Sequence, residues 1–197
     1  MDDTGDAGRK ALLVLLIIII AGSSFYLGSY LGKKESLQPG SQVQAGASPP
    51  SWSLVISPKG DAEDEIIGLI QSANQTIDVE IYIFTNSNLA NALIDAKKRG
   101  IAVRVILGSV DGGDIIDLIT ILEANGIEPR DATSLYKTMH SKIMIVDGKI
   151  VLIGSHNLSQ SAMFSNREVS IIINDPQIAS QLGEIFNSDW SRSSLLQ

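Results

Sequence analysis

Two apolar runs, KIMIV and KIVLI, meet at Asp147-Gly148 in the second half of the chain. An Asp-Gly pair between such runs is the strongest short-range hairpin signal, because both residues tolerate the left-handed φ of a tight reversal. Two adjacent antiparallel strands are therefore fixed, and the rest of the fold must be built around them.

What surrounds the hairpin alternates between strand and helix. WSLVIS at 52–57 reads as a short strand. Residues 61–73 form an amphipathic helix, with Ile66, Ile67 and Ile70 on its apolar side and acids in its first turn. TIDVEIYIF is a strand. Asn86 or Ser87 can cap a helix that runs to Arg99 and stops at Gly100. IAVRVIL is a strand, 114–124 a helix ended by Asn125-Gly126, and GIEPRD a weak strand. After the hairpin, EVSIII is a strand and Pro176 opens a last helix to Trp190. Apolar strands separated by helices imply an α/β sandwich whose mixed sheet is largely buried. No internal repeat is present.

Ahead of this domain, assigned to 52–197, the chain changes character. Residues 1–10 are a polar tail. Residues 11–32 carry no charge, and a helix of that length spans ~33 Å, about one bilayer core. Arg9 and Lys10 flank one end, Lys33 and Lys34 the other, and Tyr26 and Tyr30 suit an interface. An uncleaved single-pass membrane anchor is the expectation, because the apolar stretch continues past the small residues at 21–24; a cleaved signal peptide is the rival. The flanking charges give no orientation. The catalytic domain is expected to be extracytoplasmic, or secreted if the segment is cleaved. Residues 33–51, rich in Pro, Gly, Ser, Gln and Ala, read as a flexible linker.

The hairpin also places the chemistry. A two-residue turn pairs Val146 with Lys149, Lys142 with Ile153, His140 with Ser155 and Thr138 with Asn157. Opposed residues, and residues two apart, share a face. His140, Lys142, Ser155 and Asn157 are thus expected on one face, with His156 on the other. Asp147 lies at the turn, ~17 Å from Lys142, which makes it structural. An imidazole can act as nucleophile or general acid/base near neutral pH. An ammonium, a hydroxyl and an amide beside it suit a tetrahedral anion such as a phosphodiester. Taken singly, each group has a plainer reading: His-x-Lys as a pair facing water, Ser155 and Asn157 as loop residues, Glu168 as a charge at a strand start. Tyr136 and Lys137 could line a substrate groove or cover the sheet.

Composition narrows the alternatives. With no cysteine and two histidines, thiolate metal sites, a cysteine nucleophile and a multi-histidine centre within one chain are disfavoured. A net charge of −7 argues against a protein that coats nucleic acid. No acidic cluster stands ready for a metal, so metal-free phosphoryl transfer is the expectation, with no cofactor.

The stretch HSKIMIVDGKIVLIGSHN resembles the HxKx4Dx6GSxN signature of the phospholipase D superfamily, with His140, Lys142, Asp147, Gly154, Ser155 and Asn157 in place. Ser57-Pro58, YIFTN at 82–86 and KKRGIAVRVIL at 97–107 are similar to the family's amino-terminal half, and Asn166-Arg167-Glu168 to the segment with its later glutamate. In size and single motif the chain is similar to the small bacterial endonuclease and the membrane-anchored mitochondrial members. The resemblance implies a phospholipase D-like α/β sandwich and a homodimer with its active site on the two-fold axis. There one histidine attacks phosphorus to give a phosphohistidine, while the other protonates the leaving oxygen and then activates water. Carried over, His140 is nucleophile or acid/base, Lys142 and Asn157 bind phosphate oxygens, Ser155 assists, and Glu168 orients His140. Asp147 and Gly154 are structural. The substrate branches into nucleic acid, slightly preferred for the compact size, and membrane phospholipid, as in a phospholipase D or cardiolipin-type hydrolase. A non-catalytic membrane-tethered binding module is a third class, disfavoured by the intact motif.

Overall fold

The computed structural model describes residues 51–196. The expected tail, anchor and linker lie outside the described residues, apart from Ser51, which opens the first strand. Among the described residues no helix is long and apolar enough to cross a membrane.

Eight strands make one sheet: β1 Ser51–Ser57, β2 Thr76–Ile81, β3 Ala102–Leu107, β4 Arg130–Asp131, β5 Lys142–Val146, β6 Ile150–Gly154, β7 Glu168–Asn174 and β8 Ser194–Leu195. The helices are α1 Ala62–Gln71, α2 Ser87–Lys98, α3 Gly113–Ala124, α4 Gln160–Phe164 and α5 Pro176–Arg192. The sheet order is β1-β7-β6-β5-β2-β3-β4-β8. β2, β3 and β4 run parallel while the other pairings are antiparallel, so the sheet is mixed as the sequence implied.

Helix ends follow local chemistry. The Asn86 side chain accepts from the Asn88 and Leu89 N–H groups at 2.9 and 3.1 Å, satisfying donors that α2 itself leaves free. Asp175 does the same for α5, taking the Gln177 and Ile178 N–H groups, with Pro176 at the first turn. Two features escaped the sequence. The five-residue α4 carries too few turns for periodicity to register, and the two-residue β8 exists only because β4 offers it an edge.

Alternation along β2 sends Ile77, Val79 and Ile81 into a core with Ile66 and Ile70 of α1 and Leu89 and Leu93 of α2. Asp78 and Glu80 point the other way, into a smaller core where Ile106, Ile145 and Val151 meet Phe186 of α5. Asp78 is satisfied there by Arg104 from β3, in a two-point pair at 2.7 and 2.8 Å. The Arg104 guanidinium in turn stacks 4.7 Å from the Phe186 ring. Each fully buried Leu or Ile contributes roughly 1.5–3 kcal/mol, so the larger core carries most of the stability.

The hairpin register differs from the expected one. Val146 pairs with Ile150, and Ile143 with Ile153, so three residues separate the strands. Asp147 and Gly148 do adopt left-handed φ of 53° and 60°, and the Lys149 N–H still bonds the Val146 carbonyl at 3.0 Å. The Lys149 carbonyl, however, is taken by the Asp175 N–H at 3.0 Å, which makes Lys149 an extra residue in the ladder. One residue of slip exchanges the faces of everything beyond it. Strict alternation then sets Ser155 with Ile153 and Ile145 rather than with Lys142, and His156 on the side of Lys142. The shared-face argument is therefore incorrect.

Candidate active site

The side chains meet for a different reason. β5 begins at Lys142, β6 ends at Gly154 and β7 begins at Glu168. These strands are antiparallel neighbours, so the three points fall on one rim of the sheet. There His140, Lys142, Gly154, Ser155, Asn157 and Glu168 line one open cleft of about 360 Å³. Beyond the last ladder pair, residues are no longer bound to alternate, so groups from both parities can turn into the same space.

His140 is exposed and stands just before β5. Its ring lies 4.7 Å from the Tyr82 ring, tilted by 51°. Lys142 Nζ sits 3.4 Å from both Nδ1 and Nε2 of His140, beside the ring rather than in line with either nitrogen, and donates to the His140 carbonyl at 3.1 Å. The same ammonium is 5.4 Å from the centre of the Tyr82 ring. Burial pushes the Lys142 ammonium below its usual pKa, and the Glu168 carboxylate opposes that shift.

Asn157 is anchored by its carbonyl oxygen, which accepts the Ile83 N–H at 3.3 Å and leaves the amide NH₂ for the cleft. Ser155 is less free than expected. Its Oγ accepts the Val169 N–H at 3.0 Å and lies 3.3 Å from the Val169 carbonyl, which prolongs the β6–β7 contact. Glu168 lines the cleft, but its carboxylate accepts from the Asn166 amide at 3.2 Å and makes no hydrogen bond to His140 of the same chain. The orienting contact implied by resemblance is not formed in this arrangement.

Gly154 has a steric reason to be glycine. A Cβ there would overlap the Cα and Oγ of Ser170 and the Val169 carbonyl. Asp147 lies at the far end of β5. Burial pushes its carboxyl up, but N–H donors from Thr76, Asn74 and Gln75 hold it below the ordinary range. Its carboxylate gathers these N–H groups at 3.0, 3.0 and 2.7 Å, pinning the turn to the start of β2. His156 is buried beneath the cleft with Nδ1 2.7 Å from Ser170 Oγ, and burial holds its pKa down. Tyr136 is fastened to α5, its hydroxyl donating to Asp189 at 2.8 Å and accepting from Arg192 at 2.6 Å.

Sequence reasoning missed Tyr82. Its run YIFTN was noticed, yet only the pairing of Ile81 with Lys142 places the next ring beside His140. Among the described residues no three His, Asp or Glu side chains converge as metal ligands.

An exposed imidazole, an ammonium and an amide donor around one cleft can attack, neutralise and hold a tetrahedral anion. Residues 66–190 match the family described as cardiolipin synthase, PLD-like domain. The chain is 30% identical to the mitochondrial cardiolipin hydrolase of Danio rerio over 126 residues, covering 62% of this chain and 54% of the relative. It is 26% identical to the phospholipase D of Rickettsia typhi over 176 residues, covering 87% and 84%. The chain thus spans about half the length of the cardiolipin hydrolase it matches and most of the bacterial relative. Among solved structures it is similar to a phospholipase D family member, Nuc from Salmonella typhimurium. The TM-score is 0.72, the identity 30%, and the match covers 76% of this chain and 99% of that one.

Proposed function

This chain belongs to the cardiolipin synthase, PLD-like domain family, and from that premise we propose that it hydrolyses phosphodiester bonds through a phosphohistidine formed on His140. The observation that carries the reading is the cleft itself, where the exposed His140 ring stands beside Lys142, Asn157 and Glu168. A ring nitrogen of His140 attacks phosphorus, and the bond to the leaving oxygen breaks as His140 of a second copy gives that oxygen its proton. The second imidazole then takes a proton from water, the hydroxide attacks phosphorus, and the P–N bond breaks. Lys142 and the Asn157 amide hold the non-bridging oxygens, with Ser155 fixing the cleft wall. The cleft's charged donors suit direct phosphate binding, so turnover is expected to need no metal or cofactor.

The second copy is supported by an uncovered face. α5 packs over β5 and β6, while Trp52 and Leu54 on β1 and Val169 on β7, which share that side of the sheet, are 65%, 48% and 48% exposed. The patch begins at the cleft, because Val169 follows Glu168. A homodimer that buries it sets two clefts against one another.

Nucleic acid is the preferred substrate, for a compact domain whose open cleft presents donors to a backbone phosphate. Membrane phospholipid is the second reading. It is favoured by the similarity to a mitochondrial cardiolipin hydrolase and a phospholipase D, by the apolar segment at 11–32, and by Phe164, 51% exposed just before the segment that carries Glu168. In that setting residues 11–32 anchor the domain, 52–197, outside the cytoplasm.

The test offers the full chain, with and without chelator, bis(p-nitrophenyl) phosphate, single-stranded DNA, RNA and cardiolipin vesicles. Cleavage that survives chelator and is abolished by His140→Ala is expected, with acid-labile phosphate trapped on the wild type. Turnover by the His140→Ala protein at the wild-type rate refutes the proposal.

A further inference from the structure

His140 leaves the sheet with its main chain fixed and its side chain almost free. On one side of it Met139 is buried, and the Met139 carbonyl rests against Gly108, where a Cβ would overlap that oxygen. On the other side the Ser141 carbonyl accepts the Tyr82 N–H at 3.1 Å, one step beyond the last β2–β5 ladder pair, Ile81 with Lys142. Between these two clamps the imidazole can still turn about χ1 and χ2. A ring that must aim one nitrogen at phosphorus needs those torsions chosen before substrate arrives, because attack demands atoms that are aligned as well as near.

Hydrogen bonding does not make that choice. Glu168 is engaged with the Asn166 amide at 3.2 Å rather than with His140. Lys142 Nζ stands 3.4 Å from both ring nitrogens and so favours neither. What touches the imidazole is the Tyr82 ring, its centre 4.7 Å away and its plane tilted by 51°. That separation is at the close end of the range for interacting aromatic rings, and tilted pairs are preferred to face-to-face sandwiches. The Lys142 ammonium lies over the same ring, 5.4 Å from its centre, where the negative π-face attracts a cation. One aromatic side chain thus meets both groups that the proposed reaction needs.

A ring can orient another only if it is itself held. Tyr82 is half-buried, and the main chain around it is tied to three neighbours. Besides the Tyr82 bond to Ser141, just before β5, the Ile81 carbonyl accepts the N–H of Gly108, just after β3, at 2.9 Å. Ile83 donates to Asn157 Oδ1 at 3.3 Å and accepts the Leu158 N–H at 3.1 Å, both in the segment that follows β6.

We propose that Tyr82 is a positioning residue, whose ring, fixed at the end of β2, selects the orientation of the His140 imidazole and keeps the Lys142 ammonium beside it. The link to catalysis rests on the phosphodiesterase reading. The contacts are made by the ring and not by the phenolic hydroxyl, so phenylalanine serves in its place and an aliphatic residue does not.

Tyr82→Leu and Tyr82→Phe in the full chain test it. An aromatic pair of this kind biases an orientation about two- to tenfold and a cation–π contact about two- to fivefold, so kcat of Tyr82→Leu on bis(p-nitrophenyl) phosphate is expected to fall about tenfold. Tyr82→Phe is expected to recover most of that rate. Wild-type kcat in Tyr82→Leu overturns the inference. So does a Tyr82→Phe protein as slow as Tyr82→Leu, which would move the role to the hydroxyl. Should Tyr82→Leu fail to fold, Tyr82→Met, unbranched and likewise without a ring, takes its place.

A readout independent of turnover separates this inference from the function it rests on. The chain has two histidines, so histidine-labelled protein gives two NMR spin systems, which His140→Ala assigns. The Hα–Hβ couplings of His140 are expected at the limiting values of a single χ1 rotamer in the wild type and in Tyr82→Phe, and at averaged values in Tyr82→Leu as rotamers mix. His156, buried and bonded to Ser170, keeps its couplings throughout and reports that the fold is intact. A single His140 rotamer that persists in Tyr82→Leu overturns the positioning role, whether or not any substrate is cleaved. Absence of turnover in the wild type refutes the function alone.

Discussion

Asp147 belongs to the family signature, yet its surroundings assign it to folding, and the two roles part under mutation. Its Oδ1 accepts from Gln75 and Thr76 at 2.7 and 3.0 Å, and its Oδ2 from Asn74 at 3.0 Å. A hydrogen bond to a charged acceptor contributes about 1.5–3 kcal/mol when buried, and solvent at this half-exposed turn reduces each to about 1 kcal/mol or less. Asp147→Ala loses all of them. It also places alanine at φ 53°, where a side chain costs about 1 kcal/mol. The expected loss is about 3 kcal/mol, a fall in Tm of about 6–12 °C for a domain of this size. Asp147→Asn keeps one oxygen and tolerates the backbone, so it loses about 1 kcal/mol. The carboxyl is held below its ordinary pKa in the folded state, so its contribution is present above the unfolded value, near pH 4, and fades as pH falls through the folded value. The gap between wild type and Asp147→Asn should therefore close in acid. Thermal melts by circular dichroism across pH, paired with kcat measured well below the melting range, give the answer. With the turn at the opposite end of β5 from Lys142, kcat is expected to be unchanged. A variant with wild-type Tm and lost turnover would refute the structural assignment.

Gly154→Ala drives a methyl group into the Ser170 and Val169 backbone; overpacking of this kind costs about 1–3 kcal/mol, read as a lower denaturant midpoint with turnover reduced as the β6–β7 rim opens. His156 is buried with its pKa held down, so the wild type should lose stability as pH falls below about 6.5. His156→Asn, which keeps an acceptor for Ser170, should flatten that slope in melts between pH 7 and pH 5. Leu54→Glu places a charge on the exposed face of β1, and light scattering should show it shifting the full chain from dimer toward monomer with turnover lost in parallel. An active monomer would instead mean that one cleft is self-sufficient.

Much of the fold was legible because local chemistry and hydrophobic period agree. Asp147-Gly148 sets a reversal, Asn86 a helix start, and alternation in TIDVEI a two-faced strand. These depend on φ preferences and on donors within a few residues. Five of the signature's six residues, all but Asp147, line the cleft together with Glu168, which lies outside the signature; its spacing is counted along one hairpin.

The register was decided elsewhere. Whether Lys149 joins the ladder or bulges depends on Asp175 claiming its carbonyl, a residue 26 positions away by number and adjacent only in the sheet. For the same reason the cleft is a rim, not a face: it is gathered where β5, β6 and β7 begin and end together, which only the strand order fixes. Tyr82 against His140 follows from β2 lying next to β5, which pairs Ile81 with Lys142. Local sequence can state which way a residue prefers to turn; which neighbour it meets there is set by long-range pairing, because the energy that chooses it comes from contacts the chain makes only once it has folded.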